Sequence, residues 1–407
     1  MKVRQLSDSK GLSYLHLVML SLYAILLGVL VGLIDAVFGR VLIGLSEFRD
    51  HHLFYLVPAL PLAGLLIVYL YQKFAGKTAQ GMGLIFKVGH NEEDQVPLRL
   101  IPLVTVTTWL THLFGGSAGR EGVAVQLGAT VSHAFSRYFK LPNASCIFLT
   151  MGMAAGFGGL FQTPIAATFF ALEVLTLGQL SLPILVPTLI ASFMASTTSH
   201  LLGLEKFSHF VSKSLTIDLE TFMKLALLGL AFGLAGNLFA YLLSLAKKKV
   251  ASLLPNPYYR VLLGGVVLTC LLLILCKGRY TGLGTNLIAL SVDGGTIYPL
   301  DWLFKLLLTV FTLSLGFQGG EVTPLFAIGA SLGAVLAPIL GLPISVAGLG
   351  YLSVFGSSTN TLLAPIFIGI EVFGPANAIP YAIVMAFAYI INHKTSIYGQ
   401  QKMLEMQ

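Results

Sequence analysis

A chain of 407 residues that is 56% hydrophobic and only 10% charged, with a mean hydropathy of +0.86, is too apolar for a soluble domain, where charged residues average about 25%. Its repeated apolar runs, near the roughly 20 residues a helix needs to cross a bilayer, make it a polytopic membrane protein. The formal net charge of +7 fits cytoplasmic loops rich in Lys and Arg and a weak bias toward anions. The basic residues are scattered between spans, which argues against a nucleic-acid surface.

Lys2, Arg4 and Lys10 precede an apolar stretch over residues 14–38. The stretch is too long for a signal-peptide core and lacks a small-residue cleavage pattern, so it reads as the first span, with Gly28 and Gly32 at GxxxG spacing. Asp35 is expected at a helix end near the outer interface. A second span is predicted over residues 53–74. A polar loop at 89–96 ends in Pro97 and leads to an apolar run at 98–114, where His112 reads as packed rather than proton-carrying.

Residues 115–130, GGSAGREGVAVQLGAT, organise the chain. Three glycines lead into a helix-like run over 122–135 with Arg120 and Glu121 at its head. A glycine-rich turn opening a helix leaves backbone N–H groups unpaired at the positive end of the helix dipole, which makes an anion site. The carboxylate of Glu121 can occupy that site itself, as a tethered, protonatable plug. Arg120 is expected to pair with a nearby carboxylate and hold the loop. The stretches at 144–157 and 161–177 are short and broken by Gly and Pro, the pattern of half-helices whose ends face an ion inside the membrane. Glu173, and Glu371 later in the chain, read as structural partners of loop cations. Residues 182–202 close the first half.

The second half repeats the first. Gly229, Gly233, Gly265, Gly282, Gly284, Gly329 and Pro365 answer Gly28, Gly32, Gly64, Gly81, Gly83, Gly128 and Pro164, every pair 201 residues apart. Residues 1–205 and 206–407 are therefore read as two halves of one integrated transmembrane domain. The first basic cluster precedes its GxxxG helix, whereas Lys247, Lys248 and Lys249 follow theirs. If both clusters are cytoplasmic, the halves run in opposite senses, with a site near the midplane where they meet. Four stretches are candidates to converge there: Gly81-Met82-Gly83, the turn ending at Gly122, the GGEVTP stretch over 319–324, and Tyr398.

Cys146, Cys270 and Cys276 lie in apolar stretches without metal spacing and are expected to be inert. No metal site or cofactor is expected. Residues 115–119 also read literally as GxSxG, the serine-hydrolase elbow. That motif needs a preceding strand and a placed histidine, and Ser117 follows an all-helical pattern, so an enzyme is not expected.

GREGVAVQLGA resembles the gating-glutamate motif of CLC-type anion channels and transporters. GFGGLFQTPIAATFFALE over 156–173 is similar to that family's following helix pair, and GGEVTPLFAIGASLG over 319–333 to its GGxFAP segment. The resemblance covers nearly the whole chain. It implies an all-α, inverted-repeat fold of two helical halves with broken helices, assembled as a homodimer with one anion pathway per subunit. It also implies that Glu121 is the gate, that backbone amides at Glu321 and Val322 hold the central anion, and that the Tyr398 hydroxyl reaches it. Met82 stands where chloride-handling members usually carry serine or proline. Together with GGEVTP, Met82 resembles the bacterial fluoride/proton antiporter branch. Val174 replaces the inward-side glutamate of many exchangers, which leaves Glu321 as the candidate for moving protons.

The implied function is proton-coupled fluoride export from a prokaryotic cell, with Glu121 and Glu321 handling protons in a plasma membrane. Met82, Gly122, Val322, Thr323, Tyr398 and Phe86 are the expected anion-binding residues. The hydroxyl of Thr323 and the positive edge of Phe86 are the groups suited to a small, strongly hydrated anion. A chloride/proton exchanger and an uncoupled anion channel are the alternatives.

Overall fold

The computed structural model describes residues 12–141, 143–211, 214–391 and 395–403. Lys2, Arg4 and Lys10 lie outside them. The first half contains α1 (Tyr14–His51), α2 (Leu53–Leu56), α3 (Leu60–Phe74), α4 (Met82–Gly89), α5 (Leu100–Leu113), α6 (Glu121–Ser136), α7 (Ala144–Phe161), α8 (Pro164–Glu173) and α9 (Leu185–Leu201). The second half contains α10 (Leu219–Leu253), α11 (Pro257–Ile274), α12 (Thr285–Val292), α13 (Asp301–Leu315), α14 (Val322–Ile339), α15 (Val346–Thr359), α16 (Leu363–Phe373) and α17 (Ala378–Ile391). A two-residue parallel pair, β1 (Thr176–Leu177) with β2 (Lys402–Met403), ties the chain's end back onto the first half. The fold is the expected all-α inverted repeat.

Several elements differ from their predicted extents. The first span continues to His51, so α1 has 38 residues. At 1.5 Å per residue it is about 57 Å long, nearly twice a bilayer's hydrocarbon core, and it must cross obliquely. Asp35 is therefore in mid-helix and fully buried, with its carboxylate against Gly159 of α7, rather than at a helix end. The second span breaks into a 3-10 turn at Val57–Ala59, where Pro58 cannot donate a backbone hydrogen bond. The 144–157 segment runs on to Phe161, 18 residues, and is long enough to cross a membrane. Its break comes at Gln162, which adopts a left-handed φ of 57° just ahead of Pro164. Of the two expected half-helices, only α8, with 10 residues, is too short to span.

Small residues set the helix spacing. α6 packs on α7 through Gly128 and Gly152, and a methyl group on either would strike the other's carbonyl oxygen. α14 packs on α15 in the same way through Gly329 and Gly350. Gly28 and Gly32 bring α1 against Ala191 and Ala195 of α9, and Gly229 and Gly233 bring α10 against Val384 and Ala388 of α17. Where lipid offers no hydrophobic gain between helices, backbone approach of this kind carries the association.

Gly128→Val should therefore leave little monodisperse protein on size-exclusion chromatography in detergent. Gly44→Ala, at a position with open space around it, should elute as the parent does.

Candidate functional site

The site is built where the two halves cross. Gly119 and Gly320, equivalent positions 201 residues apart, pair antiparallel through N–H···O bonds of 2.6 and 2.7 Å. A residue bonded reciprocally to its own counterpart marks a two-fold axis. Flanking contacts obey the same symmetry. The Ser117 N–H donates to Thr312 Oγ1 at 3.2 Å, and the Gln318 N–H donates to Thr111 Oγ1 at 3.2 Å. This short bridge places the N-termini of α6 and α14 side by side, with the first-turn N–H groups of both helices in one region.

Glu121 opens α6 yet reaches the other half. Its Oε2 accepts the Thr323 N–H at 3.1 Å and a short bond from Thr323 Oγ1, at the first turn of α14. The Arg120 N–H is 3.3 Å from the same oxygen, and Arg120 Nε lies 3.7 Å from Oε1. Arg120 thus pairs with the carboxylate beside it, as expected. Glu121 is 1% exposed, so the carboxylate relies on these donors and the α14 dipole rather than on water. Glu321 sits one residue before α14, and Gly122 of α6 lies beside its carboxylate. Each half therefore sends one acid toward the other's helix tip.

A cavity of about 460 Å³ opens next to this crossing. Met82, Phe86, Gln126, Lys247, Glu321 and Tyr398 are among its lining residues. Gly81, at φ 54°, turns the chain so that Met82 can open α4 on the cavity wall. Lys247 Nζ stands 3.9 Å from Glu321 Oε1. The Tyr398 hydroxyl is buried without a hydrogen-bond partner among the described residues, and its ring lies 5.1 Å from that of Phe86. Two residues on its C-terminal side, Gln401 and Lys402, hold Tyr398 in place. Gln401 Nε2 donates to Val174 O at 2.9 Å and Thr359 O at 3.0 Å, and Lys402 Nζ meets Glu92 Oε1 at 2.5 Å. That ion pair holds the exposed Glu92 carboxyl below the usual carboxylate range.

The structure thus brings Glu121, Gly122, Glu321, Val322 and Thr323 to the crossing, and Met82, Phe86 and Tyr398 to the adjoining cavity. Thr323 is engaged with Glu121. His112 is packed, its ring nitrogens 2.9 Å from Thr108 O and 3.0 Å from Ala118 O. Among the described residues neither Glu173 nor Glu371 forms an ion pair with a loop cation, although Lys206 acts on Glu371 electrostatically. Glu173 accepts the N–H groups of Leu362, Leu363 and Ala364 at the start of α16, and Glu371 accepts those of Ile165 and Ala166 at the start of α8. Each caps a Pro-containing helix start in the opposite half, where orphan donors in an apolar setting need an acceptor more than a solvated lysine does. Cys146 is buried and Cys270 and Cys276 are exposed, all as free thiols. Sequence reasoning overlooked Lys305, whose ammonium lies 2.9 Å from Ser117 Oγ. A lone charge within the apolar run at 302–315 was the signal.

Fold and site together define a polytopic membrane protein in which two inverted halves meet at a buried carboxylate set on helix N-termini. The family model described as voltage gated chloride channel matches residues 63–393, and the chain belongs to that family. It is 34% identical over 385 residues to a "chloride/fluoride channel protein" of Pseudomonas syringae pv. tomato, covering 93% of this chain and 85% of that one. Among solved structures, a CLC-type fluoride/proton antiporter shares 53% identity and superposes with a TM-score of 0.94, covering 97% of this chain and 100% of that one. A slow cyanobacterial chloride/proton antiporter, 19% identical with a TM-score of 0.79 over 91% of this chain and 93% of its own, shares the fold.

Because the Tyr398 hydroxyl finds no hydrogen-bond partner among the described residues, Tyr398→Phe should leave the unfolding temperature unchanged. It should weaken anion binding about ten-fold in isothermal titration, the cost of one donor to a charged ligand.

Proposed function

We propose that this protein is a fluoride/proton antiporter that exports fluoride from a prokaryotic cell across the plasma membrane. The observation that carries this reading is the Glu121 carboxylate bonded to the N–H and hydroxyl of Thr323 at the tip of α14, where a free anion would otherwise bind. A mobile anion and this carboxylate compete for the same donors. A proton on Glu121 removes the charge that ties it to α14, the side chain leaves, and fluoride takes its place. Loss of the proton on the other face brings the carboxylate back and expels the anion. Protons and fluoride then move in opposite directions, and an inward proton gradient drives fluoride out.

Glu321 is read as the group that passes protons between Glu121 and the cytoplasmic face. It lines the cavity that also holds Lys247, and Lys-rich ends favour the cytoplasm. No carboxylate follows Glu173 to do this, since the next residue is Val174. Thr323, Tyr398 and the edges of Phe86 and Met82 are read as the fluoride-facing groups, with the amides of Gly122 and Val322. The fluoride/proton antiporter structure supports this choice of ion and counter-ion. We read residues 1–205 and 206–407 as the two repeat halves, and the assembly as a homodimer in the bilayer with one pathway per subunit. An uncoupled anion channel and a chloride/proton exchanger are the readings to be separated from it.

Reconstitution in liposomes with paired fluoride and pH electrodes makes that separation. Fluoride efflux should carry protons inward in the parent, and a fluoride current without proton movement would establish a channel. Glu121→Gln should lower coupled proton movement at least 100-fold, on the order of what a lost proton-transfer group costs. Glu321→Gln should reduce proton movement relative to fluoride movement, and an unchanged ratio would remove Glu321 from the proton route.

A further inference from the structure

The cavity beside Glu321 is walled in the first half by Gln80, Gly81, Met82, Val104 and Gln126, and in the second by Phe317 and Gln318. The two-fold that relates Gly119 to Gly320 carries the first group to Thr281, Gly282, Leu283, Lys305 and Ala327. It carries the second to Gly116 and Ser117, each position again 201 residues away. The fold therefore contains a second place with the layout of a vestibule, on the opposite side of the crossing.

That place is filled. Lys305 Nζ donates to Gly282 O at 2.7 Å, Tyr280 O at 3.2 Å and Ser117 Oγ at 2.9 Å. A methyl group on Gly284 would fall 2.7 Å from Lys305 Cε and 2.9 Å from Ala327 Cβ. Lys305, Ser117 and Ala327 are 0% exposed, and Thr281 and Gly282 are buried too. At the position where Val104 ends short and leaves open space, the lysine stem crosses the gap and its head closes the far wall. All three donors of the ammonium are taken by neutral oxygens, and two are carbonyls of the very loop that matches the Gly81 turn.

We propose that Lys305 is a positioning residue that closes the symmetry-related counterpart of the vestibule. The counterpart of the cavity beside Glu321 is then closed. There the turn holding Ser117, three residues ahead of Arg120, is clamped so that passage runs past Glu121. This rests on the reading of Glu121 as the gate.

The test is sided thiol labelling in proteoliposomes. Thr281→Cys serves as reporter in a background with Cys146, Cys270 and Cys276 replaced by alanine, probed with a membrane-impermeant methanethiosulfonate. With Lys305 present the reporter should stay unlabelled from either side. Lys305→Val, which installs the first half's residue, should speed labelling about ten-fold or more, only from the face opposite the Glu321 cavity. Lys305→Met keeps the stem and should restore closure. Labelling of the reporter with Lys305 present, labelling in Lys305→Met, or a folded Lys305→Val that stays unlabelled would each overturn the proposal. Labelling needs no transport, so its failure is distinct from a loss of coupled exchange in the parent, which would count against the antiporter reading.

Discussion

A carboxylate from one half of the molecule is bonded to the first turn of a helix from the other half, and the rest of the structure serves that contact. An ionised side chain deep in an apolar protein is costly unless donors meet it. Glu121 has the Thr323 N–H, the Thr323 hydroxyl and the Arg120 backbone N–H, all at one oxygen. Those donors recognise negative charge and hydrogen-bond acceptance. On the reading proposed above, they do not distinguish a tethered carboxylate from a halide, so whichever is present excludes the other.

The inverted repeat explains how such a contact is held rigidly. The Gly119–Gly320 bridge lies on the pseudo-two-fold and fixes the two helix tips relative to one another. Glu173 and Glu371 brace the two halves further by capping each other's helix starts. On the antiporter proposal, this scaffold stays in place while Glu121 leaves and returns. Symmetry also shows where the halves differ. Arg120 and Glu321 are counterparts, as are Val104 and Lys305, and these exchanges give one side of the crossing an acid-bearing cavity and the other a buried cation.

Much of this was legible in the chain. The 201-residue spacing of glycines is visible because helix crossings that close admit nothing larger, so the same positions are small in both halves. Glu121 stood out because a charge after GGSAG has few structural uses in an apolar chain. Other features were hidden for physical reasons. The length of α1 was obscured because Asp35 looks like a helix-end residue, although it is buried against Gly159 of α7. The break after α7 depends on the left-handed turn at Gln162, a residue with no strong local signal for it. The roles of Glu173 and Glu371 come from across the repeat, 191 and 205 residues away. Lys305 could be noticed as an isolated charge, but its partners Ser117 and Gly282 are set only by the fold.

The measurement closest to the central claim is a fluoride titration of Glu121→Ala against the parent by isothermal calorimetry. If the carboxylate holds the anion's place, vacating it raises the binding-competent fraction and fluoride binds about ten-fold more tightly in the variant. Equal or weaker affinity in a folded Glu121→Ala would mean that fluoride and the carboxylate do not share a site.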